Sequence, residues 1–521
     1  MSPRFHCQST TPLLDILQTL AQQPDAAFYA PGHKRGQGIS ESLSNLLGNT
    51  VFRADLPELP ELDNLFTPEG AIAEAQALAA EAFGADKTWF LINGSTCGII
   101  AAILATCAPA DKIILPRNLH QSAIAGLILS GAVPIFLNPE WDENWDIAYS
   151  FTPEALSVAL QQHPDAKAVL AVYPTYHGIG GDIEGIAAIT HRYDIPLLVD
   201  EAHGAHFAFH PDLPISALQA GADLTVQSTH KVLGAMTQAS MLHVQGDRIN
   251  HQRLNQALQL VESTSPSYLL LASLDAARQQ MALRGEQLLT EALQLAAMAR
   301  SQIAAIPGLS VFEFESPILG FHSFDRTRLT VDVTKLGLTG FAADEILRQK
   351  LGVTAELPML RNLTFIISFG NRKADIKQLV HAFTTLAAEA DFQQQQISDL
   401  PRCLPSGFTL YCSPREAFFA PRESVEIANS IGRISTETIC PYPPGIPTRV
   451  HGPETRLRGH RVQGSYRREK PVLLRSNFQF RYSRFRRSCH RRGGSGRLFR
   501  YRKRFRASFR SPLPACVHDD R

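Results

Sequence analysis

The chain has 521 residues, of which 44% are hydrophobic, and its formal net charge is +1. A chain of this length and hydrophobic content buries large cores, which excludes an intrinsically disordered protein. No run reaches the roughly eighteen apolar residues of a membrane span, and the first residues lack the pattern of a secretory signal. The eight cysteines form no C-x-x-C pair. We therefore expect a cytoplasmic globular protein with reduced cysteines and no membrane association.

Residues 87–230 alternate between short apolar runs and amphipathic segments. The runs predict strands within KIILP (112–116), VPIFLN (133–138), AKAVLAVYPT (166–175), IPLLVDEAH (195–203) and ADLTVQST (222–229). The segments between them predict helices within 122–131, 152–163 and 182–194. Strands separated by single helices predict an α/β fold whose mainly parallel sheet is covered on both faces. The carboxyl ends of such strands share one ligand-binding edge, where His120, Thr175, Asp200 and His203 fall.

A second, smaller domain follows a long helical pattern. Residues 268–305 are rich in Ala, Leu and Gln, and the pattern ends at Pro307-Gly308. Residues 309–390 mix predicted strands and helices, and a polar linker with a glutamine run comes after them. We divide this part of the chain into a large domain at 1–300 and a small α/β domain at 301–390.

Lys231 lies in the stretch TVQSTHKVLG (225–234), where an apolar strand runs into small hydroxyl residues and the turn closes at Gly234. A lysine in a surface loop needs no such surroundings. A lysine amine can condense with an aldehyde, and pyridoxal 5'-phosphate is the cofactor whose chemistry most needs such a lysine. The stretch therefore points to Lys231 as the covalent attachment site of this cofactor.

The ring of the cofactor needs two partners, and the strand ends offer a candidate for each. A carboxylate must keep the pyridine nitrogen protonated, and a charge-assisted hydrogen bond from Asp200 would contribute roughly 1.5–3 kcal/mol. Glu201 is expected to point to the opposite side of the strand. A flat side chain must cover the ring, and His120 in RNLHQS follows a strand at the right level.

The phosphate of the cofactor needs a turn of small residues that leads into a helix N-terminus, where free N–H groups and the helix dipole favour an anion. The stretch NGSTCGIIAAILA supplies such a turn with Gly94, Ser95 and Thr96. Ser228 and His230, on the two sides of the strand-to-lysine turn, complete the predicted phosphate cradle.

Each of these features also has an ordinary explanation. The Gly-Ser-Thr turn fits a plain helix N-cap, Asp200 fits a turn residue, and His120 or His203 fits a buried histidine with satisfied hydrogen bonds. His203 and His206 are three residues apart, but no third ligand accompanies them, so we expect no metal site. The order of the features along one sheet, from the phosphate turn to Ser-x-His-Lys, favours the cofactor site.

Several motifs together resemble the Orn/Lys/Arg decarboxylase family. They are FYAPGHKRGQG (28–38), ELDNLFTPEGAI (61–72), DEAHGAH (200–206), STHKVLGAMTQ (228–238) and STSPSYLLLASLD (263–275). Residues 413–447 resemble the C-terminal domain of the family, which we place at 391–447. The resemblance covers nearly all of residues 1–447 and implies the aspartate aminotransferase fold of pyridoxal-phosphate enzymes, known as fold type I.

The resemblance also implies roles for single residues. Lys231 would be the Schiff-base lysine, Asp200 the partner of the pyridine nitrogen and His120 the stacking residue. His203 would lie near the ring oxygen or the substrate carboxylate. The phosphate would be surrounded by Gly94, Ser95, Thr96, Ser228 and His230. The family forms its site at the interface of a homodimer or a higher homo-oligomer, so residues 263–268 would reach the cofactor of the partner.

The implied reaction is decarboxylation of arginine, lysine or ornithine to the amine and CO2 in polyamine or diamine biosynthesis, with arginine favoured. Lys231 or His230 would protonate the carbon that loses the carboxylate, so the predicted catalytic residues are Lys231, His230 and His203. The distal cation of the substrate needs an acidic partner, and Glu61, Asp63 and Glu356 remain open. Transamination or aldol cleavage on the same fold is the alternative reaction.

The last part of the chain departs from the family. Residues 448–521 contain 20 Arg and 2 Lys against 4 acidic residues, whereas residues 1–447 contain 28 basic and 45 acidic residues. A disordered basic arm that binds nucleic acid or an anionic membrane is one interpretation. We favour a shift of reading frame after PYPPGIP (441–447), which would give an aberrant tail and raises the alternative of an inactive product. A C-terminus of the family type in another frame of the gene would support the shift.

Overall fold

The computed structural model describes residues 7–389, 412–425, 434–438 and 480–483. The α-helices within these ranges are α1 (Pro12–Gln22), α2 (Glu41–Leu47), α3 (Asn49–Ala54), α4 (Ala71–Phe83), α5 (Gly94–Thr106), α6 (Gln121–Ser130), α7 (Pro153–Gln162), α8 (Ile183–Arg192), α9 (Thr229–Val232), α10 (His251–Val261), α11 (Tyr268–Ala304), α12 (Gly340–Lys350), α13 (Lys373–Glu389) and α14 (Pro414–Phe419). Short 3₁₀ turns lie at Pro60–Leu62, Phe207–Phe209 and Thr334–Leu336. In the described ranges, no helix combines the length and the apolar character that a membrane span requires.

The strands in the same ranges form several sheets. They are β1 (Lys87–Leu91), β2 (Lys112–Pro116), β3 (Val133–Leu137), β4 (Trp141–Asp142), β5 (Ile147–Ala148), β6 (Ala168–Val172), β7 (Ile179–Gly180), β8 (Leu197–Asp200), β9 (Leu224–Gln227), β10 (Ser240–Val244), β11 (Ser310–Val311), β12 (Ser323–Phe324), β13 (Arg328–Asp332), β14 (Leu357–Pro358), β15 (Asn362–Ile366), β16 (Glu423–Val425), β17 (Ile434–Ser435) and β18 (Phe480–Ser483).

The largest sheet has seven strands in the order β1-β10-β9-β8-β6-β2-β3. The five strands from β9 to β3 are parallel, as the alternation of strands and helices predicts. The strand β10 runs antiparallel to both β1 and β9. The sequence predictions did not include β1 or β10. The mainly parallel α/β sheet is nevertheless confirmed.

Helices cover both faces of this sheet, so its central strands β6, β8 and β9 are buried on both sides. The helices α5, α6 and α10 supply apolar residues to one core, which includes Ile99, Leu127 and Leu258. The helices α7 and α8 supply Leu156 and Ile186 to a second core on the other face. A third core joins the N-terminal helices α1 and α4 to the start of α11. These layers hold the carboxyl ends of the parallel strands in fixed positions.

The smaller sheet has the order β11-β13-β15-β14 and is antiparallel throughout. It packs with α12 and α13 around a core that includes Leu329, Leu347 and Phe383. The same core contains Leu295 and Ile303 from the second half of α11. The long predicted helix therefore runs from the core of the large sheet into the core of the small one.

Little of the predicted C-terminal domain and tail lies in the described part of the chain. The helix α14 contacts the large sheet's covering layer, since Arg415 donates hydrogen bonds to the carbonyls of Ile128 (2.9 Å) and Leu129 (2.7 Å). The strands β16, β18 and β17 form a small antiparallel sheet. Its middle strand, Phe480–Ser483, comes from the predicted tail, and the other residues of 448–521 lie outside the described residues.

Candidate active site

The carboxyl ends of β8 and β9 bring the predicted lysine and aspartate to one edge of the sheet. The strand β8 ends at Asp200, which is paired with Val226 on β9. Two residues after Val226 the chain reaches Ser228 and enters the short helix α9, which holds Lys231. The parallel pairing places Asp200 and Lys231 on the same side of the molecule, as the sequence predicted.

The amine of Lys231 contacts two aromatic side chains. Its Nζ lies 3.0 Å from Nε2 of His203. It also lies 5.2 Å from the centre of the Tyr176 ring, which is itself 4.1 Å from the His203 ring. Burial, together with the positive charges of Lys231 and Arg328, lowers the pKa of His203 well below its ordinary value. His203 is therefore neutral, and its Nε2 can accept a hydrogen bond from the amine.

Burial and neighbouring charges shift the pKa values of both Lys231 and Asp200. Burial lowers the pKa of Lys231, while the negative charges of Asp200 and Glu356 oppose that change. Burial raises the pKa of Asp200, while the positive charges of His120 and Lys231 oppose it. A lysine with a lowered pKa supplies more of the neutral, nucleophilic amine at neutral pH. These shifts fit the covalent role that the sequence predicts for Lys231.

His120 is fixed at the N-terminus of α6 on the same edge. Its Nδ1 accepts a hydrogen bond from the N–H of Ser122 at 3.2 Å, so the imidazole caps the helix. Burial lowers its pKa, and the charge of Asp200 opposes the effect while that of Lys231 adds to it. An oriented imidazole near both charged groups suits a ring-stacking role.

The predicted phosphate turn lies at the start of α5, and residues 93–96 are called the candidate anion site below. Asn93, the N-cap residue, makes no side-chain hydrogen bond to the first turn, so within the described chain no side chain caps these N–H groups. Gly94 has a φ of 76°, a conformation that favours glycine. The Ser228 hydroxyl donates to Oγ of Ser95 at 2.7 Å, and Thr96 lies exposed beside them. The uncapped helix and the two hydroxyls fit a phosphate group.

His230 follows Ser228 by two residues and lies on the short helix α9. Its Nδ1 donates to the carbonyl of Ala239 at 2.9 Å, which leaves Nε2 as the acceptor of the neutral ring. Burial lowers the pKa of His230, the hydrogen bond to Ala239 opposes this change, and the charge of Lys231 adds to it. His230 is thus held as a neutral base next to Lys231.

The contacts and exposure of the three acidic candidates for binding the distal cation of the substrate differ. The carboxylate of Asp63 accepts hydrogen bonds from the N–H groups of Asn64, Glu69, Gly70 and Ile72 at 2.7–3.1 Å. It therefore serves the start of α4 and has little capacity left for a ligand. Glu61 is exposed. Of the three, only Glu356 acts on Lys231, since its charge raises the pKa of that amine.

Glu201, the neighbour of Asp200, takes part in a buried network instead. Its carboxylate accepts from the N–H of Ala217 and from Nε2 of Gln227, both at 2.8 Å. His243 lies 3.1 Å from Oε1 of Gln227 and 2.7 Å from Oγ1 of Thr88, so the network crosses the sheet to β1. Burial raises the pKa of Glu201 to about 8. Glu201 is neutral in the folded protein at neutral pH.

This raised pKa predicts a dependence of stability on pH. Between the ordinary carboxyl pKa of 4.5 and about 8, the folded protein holds a proton on Glu201 that the unfolded chain has lost. The free energy of unfolding contributed by this group therefore falls as the pH rises through that window. The Glu201→Gln variant, which stays neutral, is expected to lose this decline of a few kcal/mol. Urea unfolding at about pH 5 and about pH 8 measures it.

The matched control is Glu184→Gln, which replaces an exposed carboxylate on α8. This variant is expected to retain the wild-type decline. An unchanged pH dependence in Glu201→Gln would contradict the assignment of a neutral Glu201.

Comparison with known proteins decides the family. The family model described as "Orn/Lys/Arg decarboxylase, major domain" matches residues 11–324. The chain belongs to the Orn/Lys/Arg decarboxylase family. The arginine decarboxylase of Bacillus subtilis (strain 168) is 41% identical over 451 residues, which cover 85% of this chain and 91% of that protein. The resemblance inferred from the motifs is confirmed.

Two solved structures show the shared fold. The lysine decarboxylase of Francisella novicida has a TM-score of 0.76 and 23% identity, and the match covers 86% of this chain and 75% of that one. The ureidoglycine-glyoxylate aminotransferase of Bacillus subtilis has a TM-score of 0.50 and 14% identity, with coverage of 61% and 84%. The predicted fold class, that of pyridoxal-phosphate decarboxylases and aminotransferases, is confirmed.

The sequence predictions missed Tyr176 in this decarboxylase. Tyr176 lies four residues after the end of β6, in YPTYHG (173–178), at the same sheet edge as Asp200. The expectation that ligands gather beyond strand ends could have included it. Its contact with His203 and Lys231 depends on the path of the loop after β6, which residue patterns do not give.

Proposed function

We propose that this chain is a pyridoxal-phosphate-dependent decarboxylase of a basic amino acid and that arginine is its preferred substrate. The observation that carries the proposal is the juxtaposition of Lys231, Asp200 and His120 beside the uncapped start of α5. The identity of the Bacillus subtilis relative, an arginine decarboxylase, supports arginine. Lys231, Asp200, His120, Ser95 and the other residues of the phosphate cradle would hold the cofactor.

When bound, the cofactor supplies an electron sink for the electron pair left on Cα when CO2 departs. Asp200 would hold a proton on the ring nitrogen through a charge-assisted hydrogen bond that burial strengthens. The uncapped N–H groups of α5 and the hydroxyls of Ser95 and Ser228 would orient the site by binding the phosphate. His120 would exclude water from one face of the ring.

Lys231 has two tasks in this proposal. Its lowered pKa provides a neutral amine for attachment, and its position beside His203 keeps that amine oriented. After CO2 leaves, Lys231 or His230 would deliver a proton to Cα. Both residues lie on α9, the Lys231 amine against His203 and the His230 ring against the carbonyl of Ala239.

A direct assay tests the proposal. Purified protein supplied with pyridoxal 5'-phosphate is expected to gain a visible absorbance band and to release CO2 and the amine from arginine. Lysine and ornithine serve as competing substrates. Formation of a keto acid without CO2 would instead support a transaminase, and the absence of both products with a full complement of cofactor would contradict the decarboxylase.

We also propose that Glu356 binds the distal cation of the substrate. Its N–H donates to the carbonyl of Thr364 at 3.1 Å, and Oγ1 of Thr364 lies 2.9 Å from Nδ1 of His177, the neighbour of Tyr176. These contacts connect Glu356 to the loop 173–178, whose Tyr176 ring lies over the amine of Lys231. The exposed Glu356 carboxylate is therefore available to a guanidinium group that extends out of the site.

The Glu356→Gln variant is expected to raise the KM for arginine by about tenfold or more, because it removes a charge-assisted hydrogen bond. The kcat is expected to change by less than about threefold, since the distal cation is bound equally in the ground and transition states. Steady-state kinetics measure both. Glu345→Gln, which alters an exposed acid on α12, is the control. An unchanged KM would exclude Glu356 from substrate binding.

A further inference from the structure

A buried carboxylate at the end of α10 has no role in the steps above. Glu262 directly follows α10 and is 9% exposed. Its Oε1 accepts a hydrogen bond from the N–H of Ile92 at 2.9 Å, and Sγ of Cys97 lies 3.6 Å from the same oxygen. Burial raises the pKa of Glu262 to about 7. Glu262 therefore contacts the chain both before and after the turn at Asn93 and Gly94.

Ile92 is the point where the backbone leaves the sheet. The last paired residue of β1 is Leu91, opposite Ser240 on β10. The N–H of Ile92 is bound by Glu262, and its carbonyl accepts from Nε2 of Gln238 at 2.6 Å. Side chains from two other parts of the chain thus satisfy both polar groups of Ile92 where the strand ladder no longer does.

The two hydrogen bonds that hold the backbone of Ile92 lie next to the candidate anion site. Nδ2 of Asn93 donates to the carbonyl of Val261 at 3.1 Å, which ties the following residue to the same end of α10. Gly94 then begins α5, and Ser95 makes the hydroxyl contact with Ser228. A small change in the path of Ile92 would therefore redirect the first N–H groups of α5.

We infer that Glu262 is a positioning residue that fixes the first turn of α5 and so sets the affinity for the phosphate group of the cofactor. This inference rests on the proposed function. A general stabilising role of Glu262 would affect both ligands alike, whereas only the phosphate of a ligand would bind the turn that Glu262 holds. Pyridoxal, which lacks the phosphate, would be held by Lys231, Asp200 and His120.

The test compares the dissociation constants of the full chain, freed of cofactor, for pyridoxal 5'-phosphate and for pyridoxal. The Glu262→Ala variant leaves a buried N–H without an acceptor and is expected to weaken pyridoxal 5'-phosphate binding about tenfold, with pyridoxal changed less than about twofold. The Glu262→Gln variant retains an oxygen that can accept from Ile92 and is expected to restore the wild-type ratio. Absorbance titration measures both ligands.

The matched control is Asn255→Ala. It removes another bond between α10 and β1, in which Nε1 of Trp89 donates to Asn255 at 2.6 Å, and it is expected to leave the ratio unchanged. If Glu262→Ala does not fold, Glu262→Asp withdraws the carboxylate by one methylene and is expected to show the same selective loss. Equal weakening of both ligands, or none, would overturn the inference. Wild-type protein that binds neither ligand would refute the proposed function as well.

Discussion

The Lys231→Ala variant is expected to lose the visible absorbance of the bound cofactor and to lower kcat for decarboxylation by at least about 10³-fold. The reason is that Lys231 is the partly buried amine at the site, and this burial lowers its pKa so that it can act as a nucleophile. The neighbouring His203 is neutral and cannot replace the amine. Absorbance spectra and a CO2 assay measure the two effects.

Two controls separate covalent attachment from charge. Lys231→Arg keeps a positive charge near Asp200 but cannot form the covalent bond, so it is expected to resemble Lys231→Ala. Lys350→Ala, at an exposed position of α12, is expected to behave as wild type. An unchanged spectrum in Lys231→Ala would refute the assignment of this lysine.

The Asp200→Asn variant is expected to retain the cofactor and to lower kcat by about 10²–10³-fold, because a buried charge no longer stabilises the proton on the ring nitrogen. The carboxylate of Asp200 accepts only the N–H of Ala202 at 3.2 Å among the described residues, which leaves it able to bind a ligand. Asparagine preserves the shape and removes the charge. Steady-state kinetics on the fully loaded variant measure the loss.

Asp194→Asn provides the comparison, since the Asp194 side chain is 92% exposed. It is expected to have the wild-type kcat. A wild-type kcat in Asp200→Asn would show that the carboxylate does not act on the ring, even if the cofactor binds normally.

Local patterns predicted much of the fold because the buried strands are short apolar runs with helices of regular period between them. KIILP became β2 without any change of bounds, and the long pattern at 268–305 became α11. The strand β10 lies between β1 and β9 and runs against both, so its pairing depends on contacts that are distant in sequence. Nothing in a local pattern specifies such a reversal.

The residues of the site likewise divide into those that local patterns predicted and those that they did not. Asp200 is the last residue of a strand, and His120 and Ser95 follow strand ends, which the sheet brings together regardless of the loops. Tyr176 and Glu262 act through contacts made by loop paths and by a helix end, which residue types alone do not fix. Asp63 was one of three acids that residue patterns could not rank, and its contacts with the backbone at the start of α4 become visible only in the fold.

Borohydride reduction of the protein loaded with pyridoxal 5'-phosphate, followed by peptide mass mapping, tests the central claim most directly. Reduction makes the link between cofactor and amine permanent, so the modified residue can be read from the peptide masses. We predict one cofactor per chain, on the peptide that carries Lys231. A label on another lysine, or no label in protein that shows the visible band, would contradict the account.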